Sequence, residues 1–372
     1  MWARITVPLA LIATLALPCS TSFLKTSYHK NRRSNVPLFR FEDHGKAGFI
    51  NAQGKIAIPP RFDVGWFAEE DFVEGLSPAR IGENWGFIDA NGAWAIPPTY
   101  WRVDQFSEGL AAVTHHLKGY KFPKSYINRT GKNVIQFPDG LAQAEPFSEG
   151  LAAIRPYGSS NAAPTLGYID RTGVVVIPYQ FAVGGRFREG LAAVVFDGKC
   201  FVEARDGGTR ESAPSGHSAN SCGGVAPWIT KRCGEGFIDR TGKVVFHFQG
   251  VRDFSEGLAA VEQGGKWGFI NPKGEVRIEL QFTEAGSFHE GLAAAKHDGK
   301  WGYLDSHGAW KIPPQFTKAA DFSDHLALTD RGYINREGKL VVPAEDGTPF
   351  VQGLAHVYVG NGDFGYLNHA GN

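Results

Sequence analysis

The chain has 372 residues, with 38 Lys plus Arg against 38 Asp plus Glu, so its formal charge is zero. Neutrality removes any global attraction for nucleic acid or anionic lipid, and a hydrophobic share of 42% removes a disordered chain. The 47 glycines are roughly twice the usual share and follow no three-residue period, which excludes collagen and, with 27 Phe, 9 Trp and 11 Tyr, points to many turns and β-strands.

Residues 1–22 read as a secretory signal peptide, with an uncleaved N-terminal anchor as the alternative. Arg4 supplies the positive start, and Ile5 to Pro18 form one unbroken run without a charge. That run is short of the roughly 20 residues a membrane span needs but suits a signal h-region. Ser20 and Ser22 fit positions −3 and −1 for cleavage before Phe23. Cys19 offers a second reading, as the lipid-modified cysteine of a lipoprotein, although Pro18 stands where such sites place a small residue. Residues 23–36 are a short linker. No other apolar run approaches spanning length, so the remainder is expected to be exported: periplasmic, on the cell surface or secreted.

Residues 37–372 are one repeat read nine times. Phe-x-Glu-Gly-Leu starts at Phe72, Phe106, Phe147, Phe187, Phe254 and Phe288, with variants at Phe322 and Phe350. A second string follows each copy, fullest at Trp85, Trp267 and Trp301, with weaker copies at Gly48, Tyr126, Gly167, Gly236, Gly332 and Gly365. A third element, Ile-Pro-Pro/Tyr-x-Phe/Tyr, starts at Ile58, Ile96, Ile177 and Ile312. Each second string ends in Asp or Asn, two residues and Gly, the signature of a type I turn followed by a left-handed glycine. Each unit is therefore expected to be a three-stranded meander.

Glu74, Glu108, Glu149, Glu189, Glu256 and Glu290 fill the acidic slot, but Asp324 and Gln352 occupy it in the last two units. Gln carries no charge and keeps a carbonyl acceptor, so the shared property is hydrogen-bond acceptance and the expected role is capping loop N–H groups. The phenylalanine is expected to plug the gap between neighbouring units, burial worth about 2–3 kcal/mol each.

Lys266-Trp267-Gly268-Phe269-Ile270-Asn271 and Lys300-Trp301-Gly302-Tyr303-Leu304-Asp305 carry a specific likeness. The repeat resembles the bacterial Trp-Gly (WG) repeat family over about Pro37 to the C-terminus. Ala47, Leu166, Glu235, Arg331 and Phe364 replace the tryptophan, and Ser125 replaces a glycine. The resemblance implies an all-β repeat array, often in envelope proteins, and supplies no catalytic residues. Two architectures fit, an open superhelical solenoid and a closed β-propeller. Propeller blades typically run about 40–45 residues. The undisturbed steps here, Phe72 to Phe106, Phe254 to Phe288 and Phe288 to Phe322, are shorter than that and favour the solenoid. The first unit opens at Leu38 to Phe41, and this reading finds no leftover N-terminal strand to close a ring.

The irregular units carry the functional signal. Regular units keep one interval from the leucine of Phe-x-Glu-Gly-Leu to the next string: Leu76 to Gly86, Leu258 to Gly268 and Leu292 to Gly302. Leu110 to Ser125 and Leu151 to Gly167 are longer, and Leu191 to Gly236 is longer by far. All three insertions, the largest at about 198–235, fall in the same turn of consecutive units, and such insertions often form a binding surface. The candidate patch is His115, His116, Tyr120, Phe122, Arg155, Tyr157, Trp228, Lys231 and Arg232, a mix of aromatic and cationic groups suited to protein or glycan contact. Tolerance of loop tips to insertion is the alternative explanation.

Cys200 and Cys233 flank the base of the large insertion and are the expected disulfide, with Cys200–Cys222 competing and Cys222 otherwise free or paired with Cys19. No Cys/His spacing supports zinc, and His115 and His116 lack a third ligand, so no metal and no cofactor is expected. Phosphate-binding, nucleophile-elbow and zinc-protease motifs are missing. The expectation is a non-enzymatic exported scaffold binding another protein, with an envelope glycan- or peptidoglycan-binding module as the alternative, no nucleic-acid partner, and membrane contact only through the N-terminus.

Overall fold

A computed structural model describes residues 37–64, 72–116, 124–137, 141–156, 166–203, 209–211, 231–360 and 363–371. The expected signal and linker, together with Cys19, Tyr120, Phe122, Tyr157, Cys222 and Trp228, lie outside the described residues. The described residues hold 31 strands and no helix, arranged in antiparallel sheets that follow one another along the chain. The fold is all-β, as the repeat implies.

A representative unit, the seventh, pairs Leu292–His297 with Lys300–Asp305, which pairs with Trp310–Phe316. This is the expected meander. Several units add a leading strand that the sequence did not disclose, such as Glu284–His289 here or Arg102–Val103 before unit three. In units four and five one long strand, Val175–Gly184, serves both, pairing with Leu166–Asp170 on one side and with Leu191–Glu203 on the other.

The Asp/Asn turns form as expected. Asp305 Oδ1 accepts from His307 N–H at 2.9 Å and Ala309 N–H at 3.0 Å, and Gly308, at φ 83°, closes the turn. The turn glycine also meets the preceding unit. A Cβ on Gly308 would stand 3.1 Å from Ile278, one on Gly338 3.0 Å from Ile312, and one on Gly242 2.6 Å from Ile177.

Phe-x-Glu-Gly-Leu is a tight hairpin. Ser148 and Leu151 exchange both backbone hydrogen bonds around Glu149 and Gly150, which stand at φ 51° and 78°. Two consecutive left-handed residues define a type I′ turn. The acid caps a loop, but the loop of the next unit. Gly150 N–H donates to Glu108, Gly190 N–H to Glu149, Gly257 N–H to Glu189 and Gly353 N–H to Asp324. The left-handed backbone throws each acid side chain off its own turn and across the junction.

Each phenylalanine packs against the second-string aromatic of the preceding unit. Ring centroids lie 4.7 Å apart for Phe87 and Phe106, 5.1 Å for Tyr168 and Phe187, and 4.8 Å for Tyr303 and Phe322. The core is thus a series of interunit clusters rather than one centre. The last unit reaches the first: Tyr366 Oη donates to the Arg40 carbonyl, and the Phe39 and Tyr366 rings lie 5.7 Å apart.

Candidate partner-binding face

Antiparallel register separates the two ends of each unit. In unit four, Leu151 lies opposite Asp170 at the end bearing the acid and Asp/Asn turns, and Ile154 lies opposite Gly167 toward the other end. The hairpin turns joining the first two meander strands therefore sit away from the acid turns. All three insertions leave from that end, in consecutive units: after the Thr114–Lys124 pair, after strand Leu151–Pro156, and from the ladder of Leu191–Glu203 with Lys231–Asp239.

The first insertion has the best-defined base. His115 Nε2 shares a hydrogen bond with Ser125 Oγ at 2.8 Å, and His116 Nε2 one with Asn84 Oδ1 at 2.6 Å. The two rings thus engage different units, which suits interunit bracing better than joint ligation. Trp101, which sequence reasoning passed over, is 43% exposed and sets its ring 5.8 Å from that of His116. Its signal was position: it follows the third strand of unit two directly, at the same end of the fold. Lys124 forms the far side of this base. Burial pushes its amine down, an effect Asp104 opposes, and burial pushes the Asp104 carboxyl up against the pull of Arg102 and Lys124.

Arg155 Nη2 donates to the Ala182 carbonyl, in the connector that follows its own unit, whereas Arg80 Nη2, at the equivalent position of unit two, donates at 2.7 Å to the Val64 carbonyl in the connector that precedes its unit. Arg155 therefore braces a connector within the fold. Lys231 and Arg232 lie in strand Lys231–Asp239, opposite Val202 and Phe201. The same ladder sets Cys200 directly opposite Cys233. Cross-strand partners have Cα atoms about 4.5–5.5 Å apart, inside the range a disulfide requires. Among the described residues, no group of three His, Cys, Asp or Glu side chains is disposed to hold a metal ion, and no helix is long and apolar enough to cross a membrane.

This geometry defines an all-β repeat protein with one elaborated end. The model of the WG-containing repeat matches residues 48–85, 85–115, 125–155, 167–200, 236–267, 267–301 and 301–328, more than half of the chain. The chain belongs to the WG repeat family. No curated protein matches its sequence. Among solved structures it resembles a eukaryotic initiation factor at 12% identity, covering 91% of this chain and 94% of that one, with a TM-score of 0.54. BamB from Moraxella catarrhalis matches at 12% identity over 82% of this chain and 90% of that one, TM-score 0.39. The WD40 β-propeller domain of Doa1 matches at 9% identity over 72% and 78%, TM-score 0.28. At 12% identity the likeness to the initiation factor concerns fold alone.

Proposed function

We propose that this protein is an exported, non-enzymatic scaffold that binds another protein through the end bearing the three insertions. A repeat-containing β fold of this kind is typical of interaction scaffolds. The observation that carries the reading is the position of the insertions: one turn, three successive units, one end of the fold. The exposed Trp101 beside His116 adds an aromatic platform at their base, of a type enriched at interfaces. The non-enzymatic part is supported by what the recurrent carboxylates do. They cap neighbouring turns, as Glu108, Glu149 and Glu189 illustrate, and are spent structurally. Export is supported by the pattern of residues 1–22 and by the opposed Cys200 and Cys233.

The contact between Tyr366 and Arg40 favours a ring over an open array for the nine units. An open array of this length separates its ends, whereas a ring brings them together.

The decisive experiment compares affinity capture by the chain with capture by a variant in which 117–123, 157–165 and 204–230 are replaced by short glycine-containing turns, unfolding temperature serving as the control for folding. The proposal requires captured proteins to be lost from the variant at unchanged stability. Undiminished capture refutes it. Sedimentation of the intact chain with purified cell-wall polymer, together with loss of that sedimentation in the variant, would favour the glycan-binding alternative instead.

A further inference from the structure

Proteins guard the edge strands of their sheets against stray pairing with charges, prolines or cover. The third strands of the units carry such guards. The residue after the turn glycine is charged at Lys55, Lys132, Lys243, Glu275 and Lys339, and a pair of prolines follows Ile58, Ile96 and Ile312. Unit four departs from this pattern. From Gly173 to Gly185 it holds no charged residue and a single proline, Pro178, and it opens with Val174-Val175-Val176. These three valines are 58%, 41% and 40% exposed, and Tyr179 and Val183 further along the strand are exposed as well. Among the described residues, the strand Val175–Gly184 pairs on the side away from Leu166–Asp170 only from Phe181 onward.

We propose that the outer edge of Val174–Ile177 takes up an extended, uncharged segment of the partner protein as an added β-strand. The inference rests on the function proposed above and names the chemistry of that partner. Three observations support the choice of occupant.

The first is the direction of the backbone groups. Val174 spends both of its own on the neighbouring turn: its N–H donates to Asp170 Oδ1 at 3.1 Å, and its carbonyl accepts from Asp170 N–H at 2.9 Å. Backbone groups alternate sides along a strand, so those of Val175 are aimed at the outer edge.

The second is that both faces of the strand are apolar there. Successive side chains point to opposite faces, so three consecutive exposed valines leave neither face covered. A lipid surface or a flat protein patch meets one face. A strand laid alongside continues the pleat and gives the valines of both faces cross-strand neighbours at once.

The third is continuity with the end proposed to bind. Val183, at the far end of the same strand, lies opposite Val195 in Leu191–Glu203, the strand from which the largest insertion leaves. Pro178, without an N–H, bounds the edge on that side. So short an edge falls below the roughly 1,000 Å² of a stable association between two copies. A partner already held at the insertion end needs only this increment, because its second contact is made at high effective concentration.

The test uses a short synthetic peptide of alternating valine and threonine, with amide hydrogen exchange of the full-length chain as the readout. Saturating peptide is expected to slow exchange at Val175 by about fivefold or more. Val276 of unit six, flanked by Glu275 and Arg277, is the internal reference and is expected to be indifferent. Val174→Lys installs the guard that Lys132 and Lys243 supply in the neighbouring units, so the fold tolerates it, and it is expected to abolish the slowing. Unchanged exchange at Val175 overturns the proposal. So does equal slowing by the same peptide N-methylated at alternate residues, which would mean apolar contact without strand pairing. Slowing that follows the concentration of the chain alone would assign the edge to a second copy and overturn it too. Affinity capture separates the two levels. Loss of captured proteins from the insertion-trimmed chain but not from Val174→Lys defeats the added strand alone. Peptide protection of Val175 with capture undiminished in the trimmed chain defeats the insertion end and leaves the edge as a site of its own.

Discussion

The acid of the type I′ turn offers the sharpest check on the interunit stitching. Glu149 stands at φ 51°, and its Oε2 accepts from Gly190 N–H of the next unit at 3.0 Å, with Arg240 Nη1 3.6 Å away. A net hydrogen bond to a charged group is worth about 1.5–3 kcal/mol, and partial exposure places this one near the lower end. The looser contact with Arg240, between partly exposed groups, adds about 0.5 kcal/mol or less. Glu149→Ala should therefore cost about 1.5–2 kcal/mol. Glu149→Gln keeps a carbonyl acceptor and should cost less than about 1 kcal/mol. Glu149→Gly loses the cap but relieves left-handed strain worth about 1 kcal/mol, so it should fall between the other two. Urea unfolding gives the ranking. Because repeat arrays open unit by unit, amide exchange at Gly190 gives the location. If Gln proves as damaging as Ala, acceptance is not what the slot supplies. If exchange at Gly190 is unmoved in all three variants, the cap does not cross the junction.

Two further outcomes follow from the same stitching. Gly242→Ala should destabilise by at least about 1 kcal/mol more than Gly265→Ala, measured by equilibrium unfolding. Both residues are left-handed, at φ 82° and 73°, so strain is common to the pair, but only a Cβ at position 242 meets Ile177, at 2.6 Å. At the meeting of last and first units, burial pushes the His356 imidazole below its usual value of 6.5, helped by Arg40 and opposed by Glu42. A depressed histidine contributes stability above its unfolded value and loses it as pH falls. Amide exchange in strand Leu38–Asp43, corrected for its intrinsic pH dependence, should therefore accelerate on acidification below about 6.5, and His356→Gln should remove that dependence.

Much of the fold was legible because the sequence repeats. Nine copies fix the turn chemistry: Asp305 and Asn271 cap their turns, and glycines 308 and 274 follow at positive φ. The interunit role of phenylalanine was legible for the same reason. What periodicity could not supply was which unit a side chain serves. Glu149 and its partner Gly190 are 41 residues apart, close to one repeat, and a repeat looks the same whether a bond closes within a unit or on the next. The type I′ turn was missed because its left-handed pair is Glu-Gly rather than the usual Asn-Gly or Asp-Gly. At the candidate site the three insertions were plain from spacing. Arg155 was legible as a cation at the start of the second insertion but not as a donor to the Ala182 carbonyl, and Trp101 was passed over because it sits just beyond the recurring motif.

One junction rule is written in the sequence and becomes readable only with the structure in hand. The residue after the phenylalanine is serine in four units, and Ser107, Ser148 and Ser255 donate to the carbonyl of the next unit's phenylalanine at 2.6–2.7 Å, as Ser323 does to that of Phe350. Two units carry Arg188 and His289 there instead, and in both the next unit has an aspartate just before its own phenylalanine. Arg188 Nε lies 3.4 Å from Asp253, and His289 Nε2 lies 3.5 Å from Asp321. The aspartate needs room, and these are the two units with glycine two residues before the phenylalanine: a Cβ on Gly185 would stand 3.1 Å from Asp253, and one on Gly286 2.8 Å from Asp321. Arginine or histidine, glycine and aspartate thus form one exchangeable set, and serine is the other. Asp253→Ala alone leaves the mostly buried Arg188 side chain unpaired, and burial without its partner should cost about 2–3 kcal/mol, somewhat less than for a fully buried pair. Arg188→Ser together with Asp253→Ala installs the serine stitch and should recover most of that loss. A double-mutant cycle should give a coupling of at least about 1 kcal/mol. Additive effects would mean that the cation and the aspartate are independent occupants of the junction, and that the pattern across the units is coincidence.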